Sequence, residues 1–516
     1  MLSDGEWLRF RHELARRAVE QSIAPPQLRR LHARILECLL AHPQRPASPA
    51  RLLHHAQAAG RAADVLRFAP LAAQEAAGRG AHREAASLYA SALETGDAVD
   101  PEVRARLLEA CAWENHMNNQ TVASKTHYAK ALRIWQDLGR VRDQGRVTSR
   151  LARAYWYLGL GDDASRLARE AVKLLESFSD SLEYLQALSE MSRIEMLASR
   201  HATAIEVGSR ALALAEQRQD QLMMAEVLNN IGTARFGIGE HECGQSLLER
   251  SLAIALRNRF DDLSQRGYVN LICQLIETRM YQRAEQLFEE SGSAFFVRYD
   301  ADLWHTYSTA WRSRLHFERG RWQEAQADAD DALARAHSSG SVPLRIPPLL
   351  VIARLKAARG DPGADAMLSE VAGLAAKTGE PQRLVPAACA RCELLWLERR
   401  ELGPDQQPAQ AIFERLKELG LQYYIDELGY WLWLHGVIVE GVDPSSVRGL
   451  QLAGQWRAAA DAWRQTGCPL EEGQALLQGD EGGVAQAGTI FERLGATGYR
   501  NRARPASARL SARTGT

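Results

Sequence analysis

Lysine is scarce in this chain. Six lysines (Lys125, Lys130, Lys173, Lys356, Lys377 and Lys417) stand beside 57 arginines in 516 residues. No Gly-Lys pair occurs anywhere. That excludes a G-x-x-x-x-G-K-[ST] loop, and with it the cradle of backbone amides and the lysine that hold nucleotide phosphates. Net charge is also missing: at −1, bulk electrostatics favour neither a nucleic acid nor a membrane surface. Long apolar runs are absent. The most apolar stretch, "YWLWLHGVIV" from Tyr430 to Val439, is too short to span a bilayer. The opening "MLSDGEWLRFRHEL" carries charges where the apolar part of a secretory signal would run. Cysteines number seven; they are scattered and odd in count, which reads as reduced thiols in a cytoplasmic protein. No nucleophile elbow, paired-carboxylate motif or H-E-x-x-H occurs, since His12-Glu13 is followed by Leu14-Ala15-Arg16-Arg17. The motifs therefore imply no catalytic residue, no cofactor and no metal.

What is present is ordinary in composition and regular in spacing. Apolar residues are 46% and charged residues 25%, as in a soluble globular protein. In "GAHREAASLYASAL", Gly80–Leu93, a turn residue precedes a helix that places Ala85, Tyr89 and Ala92 on one side. The pattern recurs. Equivalent turn residues are Gly80, Asn119, Gly159, Ser199, Gly239, Arg279, Gly320 and Gly360, at steps of 39, 40, 40, 40, 40, 41 and 40. A fixed period of 20–50 residues is the mark of a solenoid.

The chemistry recurs at the same offsets. Five past each turn stand Ala85, Ser124, Ala164, Ala204, Gly244, Ala284, Ala325 and Asp365, small except for the last. Twelve past stand Ala92, Ala131, Ala171, Ala211, Ser251, Ser291, Ala332 and Ala372, all small. Seven before, from the second copy on, stand Ala112, Ala152, Ser192, Gly232, Ile272, Ser313 and Ala353. Antiparallel helices approach closely only across small side chains. Each copy is therefore predicted to be a helix–turn–helix hairpin that buries its apolar face by stacking on the next copy. Tyr89, Tyr128, Leu248 and Phe288, nine past their turns, fill the space between copies.

These small positions, turn glycines and aromatics resemble the tetratricopeptide repeat, as in "GLGDDASRLAREAV" and "GRWQEAQADADDAL", although that repeat is shorter than 40 residues. The resemblance implies an all-α fold: a right-handed tetratricopeptide-like superhelix of about ten helical hairpins in repeats of about 40 residues. A late copy is expected at "GQWRAAADAW", Gly454–Trp463, and a degenerate one between Gly360 and Gly454, where "GPDQQP" and "GVDPSS" blur the period. "SVPLRIPPLL" is expected to break two hairpins apart. The expected division is a winged-helix-like segment over 1–60, a solenoid over 61–478, and a terminal helix with a basic disordered tail over 479–516.

The first 60 residues do not follow the period. "EWLRFRHELARRAVEQS" reads as a short strand, Trp7 to Arg11, leading into a helix, and "PPQLRRLHARILECLLAH" as a second helix with a Pro-Pro start. "FRHELARRAV", "LRRLHARILECL", "LLHHAQAAG" and "FAPLAAQEAAGRGAHREAASLYASAL" resemble large ATP-dependent LuxR-type transcriptional regulators, which are signal-transduction ATPases with numerous domains. "FERLGA", Phe491–Ala496, is similar to the stretch before their DNA-binding domain. The resemblance covers about Arg9 to Gly495 and implies their winged-helix segment and helical-repeat sensor. Their P-loop ATPase is not matched, and the roughly twenty residues after Gly495 are too few for a helix-turn-helix DNA reader. The implied role is a non-catalytic sensor or protein-interaction module of a LuxR-type regulator, with ATPase and DNA-binding parts acting in trans if at all. A free-standing scaffold that binds a peptide or assembles a complex, or a truncated inactive regulator, are the alternatives.

Three local features read as structural. "CARC", Cys389–Cys392, lies in a helix-like run with no second C-x-x-C, so it is read as two buried thiols. His54-His55, with Cys38 and His42 upstream, match no common zinc spacing and read as surface or packing histidines. Arg500, Arg502, Arg504, Arg509 and Arg513 form a basic end that reads as solvated chain.

One constellation points to binding. In tetratricopeptide geometry the residues six and thirteen before each turn face the concave side. The first set is Trp113, Arg153, Arg193, Thr233, Cys273, Arg314 and Arg354; the second is Arg106, Arg146, Gln186, Glu226, Arg266, Tyr307 and Pro347. Seven of the fourteen are arginine, where chance in this composition gives between one and two. Guanidinium groups in a groove suit carboxylates and phosphates. Arg106, Trp113, Arg146, Arg153, Arg193, Arg266, Arg314 and Arg354 are therefore the candidate ligand-binding residues. The expected partner is a protein or peptide with an acidic segment, or a small anionic inducer, and not a membrane. The rival expectation is a solvated arginine face balanced by neighbouring glutamates.

Overall fold

The computed structural model describes residues 2–4, 7–9, 13–42, 47–95, 99–298, 302–337 and 340–503. They form two compact units: Met1–Asn118 with Thr126–Trp135, and Asn119–Lys125 with Gln136–Thr516. Arg504, Arg509 and Arg513 of the expected tail lie outside the described residues.

The first unit opens with an antiparallel hairpin of β1 (Leu2–Asp4) and β2 (Trp7–Arg9), in which Leu2 pairs with Arg9 and Asp4 with Trp7. The expected strand is thus present as Trp7–Arg9; Phe10 and Arg11 lie outside the described residues. Helices α1 (Glu13–Ser22), α2 (Pro25–Ala41), α3 (Pro49–Ala59), α4 (Ala62–Gly78), α5 (His82–Leu93) and α6 (Pro101–Met117) follow. Proline starts α2, α3 and α6, where its missing N–H costs no helical bond. Ser48 and Asp100 cap α3 and α6 by accepting from backbone amides. The core is alanine-rich: Ala69, Ala73, Ala76, Ala85 and Ala92 have no exposure and let α4 and α5 close on each other around Phe68 and Tyr89. The buried Trp135 on α7 (Thr121–Asp137) donates its Nε1–H to Glu109 at 2.7 Å.

The second unit is a stack of helical hairpins. The pairs are α8 (Val141–Tyr157) with α9 (Gly161–Leu175), α10 (Leu182–Leu197) with α11 (His201–Gln217), and α12 (Gln221–Gly237) with α13 (His241–Asn258). They continue as α14 (Asp261–Glu277) with α15 (Tyr281–Arg298), α16 (Asp302–Glu318) with α17 (Trp322–His337), α18 (Val342–Arg359) with α19 (Ala364–Thr378), and α20 (Pro381–Leu397) with α21 (Gln406–Leu419). Shorter helices finish the chain: α22 (Gln422–Leu434), α23 (Val447–Leu452), α24 (Trp456–Thr466), α25 (Pro469–Leu476), α26 (Glu481–Leu494) and α27 (Thr497–Ala503). The fold is all-α and tetratricopeptide-like, as the period predicts.

All eight turn residues of the forty-residue register have left-handed backbone, with φ from +59° at Ser199 to +84° at Gly239. Each ends the first helix of its hairpin, and at seven of the eight the residue after it donates back five positions, as Leu160 does to Tyr155 at 3.0 Å and Met280 to Leu275 at 2.7 Å. This closes the helix end and reverses the chain. Asn119, Ser199 and Arg279 hold this conformation without glycine, at roughly 1–2 kcal/mol each.

The small positions pack as expected. Ala164, Ala171, Ala204, Ala211, Ala325 and Ala332 have no exposure, and neither do Ala152, Ser192 and Ala353 on the facing helices. At Gly232 an added Cβ would stand 2.9 Å from Leu248 Cγ and 3.0 Å from the Gly244 carbonyl. The helices α12 and α13 cross there with no room for a side chain.

Three details differ from expectation. In α19 the register slips by one: "GDPG" delays the helix start, so Ala364 and Val371 are buried where Asp365 and Ala372 were expected to pack, and Ala372 is exposed. In "SVPLRIPPLL" the break falls at Gly340, with φ +68°, and α18 runs through Pro347 and Pro348. The degenerate copy after Gly360 keeps its turn at Arg399, φ +59°, and "GPDQQP" lengthens the link from α20 to α21 with a 3-10 turn at Gly403–Asp405.

The largest difference concerns the concave face, which an open superhelix would leave to solvent. Here the stack returns on itself. The Trp156 Nε1–H of α8 donates to Glu380. The Gln382 side chain donates to the Leu197 carbonyl at 2.8 Å. Gly159 and Gly161 admit Val342 and the Thr378 carbonyl so closely that a Cβ would lie 3.0 and 2.6 Å from them. The terminal helices then fold over the interior: the Tyr499 hydroxyl of α27 donates to Glu393 of α20, and Arg279 reaches Glu427 of α22.

Candidate functional site

The return of the chain partly encloses an interior in the second unit, lined mainly by the first helices of successive hairpins and by α22, α23 and α25. It holds three adjoining cavities of about 110, 70 and 220 Å³ that share Gln382 on their walls. Each is well above the ~15 Å³ that one water requires.

Around the largest group of wall residues, every arginine meets a carboxylate or a phenol and lies over an aromatic ring. Arg354 donates to Glu393 at 2.8 Å and lies 4.6 Å from the Phe317 ring centre. Arg314 donates to Glu318 at 2.8 Å, sits 3.7 Å from Glu277, and covers Trp311 at 5.0 Å. Arg448 donates to Glu427 at 3.1 and 3.2 Å and lies 4.1 Å from the Tyr430 ring. Arg279 donates to the other oxygen of Glu427 and covers Trp463 at 4.7 Å. Arg383 donates to the Tyr307 hydroxyl and covers its ring at 5.6 Å. Desolvated guanidinium groups require such partners.

The compensation is uneven. Burial pushes the Glu427 carboxyl up, but Arg448 and then Arg279 outweigh it and hold it at about 2. Glu380 goes the other way: burial lifts it to about 7, with only partial relief from Arg383 and the Trp156 N–H. Burial also raises Glu277 against Arg314, and Glu471 against Arg354. Among the described residues four wall atoms have no hydrogen-bond partner: the donors Arg383 Nε and Trp311 Nε1, the acceptor Glu471 Oε2, and His201 Nδ1. Buried polar atoms are rarely left so.

Beside the second cavity the imbalance is positive. Arg153, Arg193 and Arg266 come together around Glu190 and Glu226. Arg153 donates to Glu190 at 3.0 Å and to Glu226 at 3.3 Å. Arg266 donates to the Asn230 side-chain oxygen Oδ1 and stands 3.9 Å from Glu226. Arg193 donates to the Tyr157 hydroxyl at 3.4 Å. Three guanidinium groups thus share two carboxylates. Burial, and then the charge of Arg193, lower Arg266 to about 9 in spite of Glu226. Arg193 and Arg266 line the second cavity with Trp156, Tyr157, Tyr307, Cys273 and Glu277, the last of which faces Arg314.

Of the eight candidates read from the repeat, the structure places Arg153, Arg193, Arg266, Arg314 and Arg354 at this interior. Arg146, on α8, donates to Asp143 at 2.6 Å. Arg106 and Trp113 belong to the first unit, where Arg106 is exposed 3.7 Å from Glu102 and Trp113 lies beside His116. Neighbouring glutamates pair with the interior arginines, but Arg193 and Arg266 are buried, where the rival expectation was a solvated face. The offsets missed Arg279, Arg383 and Arg448. Arg279 carried a signal in being the one charged residue among the eight turn residues from Gly80 to Gly360. Glu393 falls six before Arg399, so the degenerate copy supplies a carboxylate at the position where other copies carry arginine. Cys389 and Cys392 are free thiols, half-buried and buried, raised by burial, Cys392 to about 12. No helix among the described residues is long and apolar enough to cross a membrane.

No protein-family model matches this chain. No curated protein matches it. Several solved structures are similar. A Rap protein complexed with competence and sporulation factor aligns with TM-score 0.47 at 12% identity, over 76% of this chain and 99% of that one. Aspartyl phosphate phosphatase F from Bacillus subtilis aligns with TM-score 0.41 at 12% identity, over 74% and 97%. A signal-transduction ATPase with numerous domains and a tetratricopeptide repeat sensor, from Pyrococcus horikoshii, aligns with TM-score 0.38 at 17% identity, over 71% of this chain and 55% of that one. The chain thus spans about half the length of that ATPase.

Proposed function

We propose that the second unit is a non-catalytic binding module that takes an anionic group, from a small inducer or the acidic end of a peptide, into its enclosed interior. The observation that carries this reading is the Arg153–Arg193–Arg266 cluster, three buried guanidinium groups against two carboxylates beside a cavity. An anion there would complete the charge balance and gain charge-assisted hydrogen bonds in a low dielectric. The aromatic walls and the Arg383 Nε, which makes no hydrogen bond and stands 3.9 Å from Glu380, suit an organic anion with further acceptors.

The resemblance of the N-terminal stretches to ATP-dependent LuxR-type regulators supports a finer role: the inducer-binding sensor of such a regulator, cytoplasmic, with its ATPase and DNA-binding parts in trans. The division of the interior into three small, partly enclosed cavities favours a small inducer or a short chain end over a scaffold that lays a long peptide in an open groove.

The test is a thermal-shift screen of the full chain with di- and tricarboxylates, organic phosphates and short acidic peptides. A bound ligand raises the melting temperature by mass action. Arg193→Gln should weaken the strongest ligand at least tenfold. It should leave the unliganded melting temperature unchanged or higher, because it removes one of three crowded positive charges. Equal affinity in wild type and Arg193→Gln would remove the proposed site.

A further inference from the structure

The first unit carries a separate constellation, independent of the interior of the second. His32 lies on α2, and His54 and His55 are adjacent on α3. The hairpin of α2 and α3 brings the three imidazoles together, although 22 residues separate His32 from His54 in sequence. The His32 and His55 Nδ1 atoms are 2.9 Å apart. Ring centres are 5.1 Å apart for His32–His55, 5.6 Å for His32–His54 and 5.1 Å for His54–His55. One nitrogen of each ring lies within 4.8 Å of one nitrogen of both others.

We propose that His32, His54 and His55 form a transition-metal site, suited to Zn²⁺, with a coordination position left open to solvent. Neutral imidazole is a ligand of choice for Zn²⁺, Ni²⁺ and Cu²⁺. Tetrahedral zinc with Zn–N bonds of 2.0–2.1 Å holds its ligand nitrogens roughly 3.4 Å apart. The His32–His55 pair is already within about half an ångström of that spacing. The exposed His54, with a ring nitrogen within 4.8 Å of the other two, has to close the remaining distance. Three protein ligands and one open position is the arrangement of zinc sites that exchange ligands, whereas closed structural sites use four. Cys38 and His42, the upstream partners that the sequence offered, do not join: His42 Nδ1 bonds the Cys38 carbonyl at 2.7 Å on its own helix. The partner is instead His32, which sits in mid-helix and matches no zinc spacing. Arg51, one turn before His55 on α3, puts a positive charge nearby, which favours micromolar rather than nanomolar affinity.

The test uses the full chain, stripped with a chelator and titrated with zinc chloride by calorimetry, then with cobalt(II) for its visible spectrum. The expected result is one zinc per chain at micromolar affinity, and cobalt bands of a four-coordinate nitrogen site. His32→Gln and His55→Gln should each weaken zinc at least tenfold and abolish the bands, with circular dichroism unchanged. His42→Gln should bind as wild type does. No zinc uptake, or equal uptake in wild type, His32→Gln and His55→Gln, would overturn the site and leave His32 and His55 as a hydrogen-bonded packing pair.

Discussion

Glu427→Gln is the most informative single change in the interior. Glu427 accepts from Arg448 at 3.1 and 3.2 Å and from Arg279, with the three side chains 16%, 5% and 23% exposed. It ties the turn at Arg279, between α14 and α15, to α22 and α23. Each tenfold in carboxyl acidity corresponds to ~1.4 kcal/mol. Holding Glu427 at about 2, against an ordinary 4.5, therefore corresponds to ~3 kcal/mol of stability at pH 7. Removing one member of a buried charge pair costs about 3–5 kcal/mol in general, so the two routes agree. Urea unfolding of the full chain, followed by circular dichroism, should show Glu427→Gln less stable by ~3 kcal/mol at pH 7. The folded carboxyl lies below its unfolded value, so its contribution is present above about pH 4.5 and lost as pH falls towards 2. The gap between wild type and variant should close over that window. A loss below about 1 kcal/mol at pH 7, or a gap that persists at pH 2, would refute the reasoning.

Glu380 should show the opposite pH dependence. Its folded carboxyl is raised to about 7, so its contribution is present below about pH 4.5 and lost as pH rises through 7; unfolding curves of Glu380→Gln should lack that decline between pH 5 and 8. Gly232→Val should destabilise by about 1–3 kcal/mol through overpacking at the α12–α13 crossing. Gly239→Ala, with open space around it but φ of +84°, should lose only ~1–2 kcal/mol from backbone strain. In α19, Ala364→Leu should be costly and Ala372→Leu nearly neutral in melting experiments; the reverse order would restore the unslipped register.

The hairpin stack was legible because its cause is local and repeated. A left-handed turn residue every 40 positions and small residues at fixed offsets act within one hairpin, so spacing alone reveals them. Where an insertion is compensated nearby, spacing misleads: "GDPG" delays α19 while leaving Ala372 at the expected offset, on the wrong face. The interior was half legible. Arg153, Arg193, Arg314 and Arg354 share a helix position, and the repeat exposes them. Their partners do not repeat. Glu427, Arg448 and Glu471 come from short irregular helices after α21, and Trp156–Glu380 joins residues 224 apart. Nothing in the forty-residue spacing says that the stack returns on itself. His32 escaped for a similar reason, since its company with His54 and His55 depends on how α2 packs on α3.

The account rests on the enclosed interior of the second unit being where a ligand is held. Hydrogen–deuterium exchange of the full chain, with and without the strongest carboxylate or acidic peptide from the thermal screen, tests this most directly. The predicted result is slower exchange in α10, α14 and α20, whose side chains line the cavities, and in Trp156–Gly161, where the stack returns on itself. Protection confined to the outer helices α17, α19 and α21, none of which lines a cavity, or to the first unit, would contradict it.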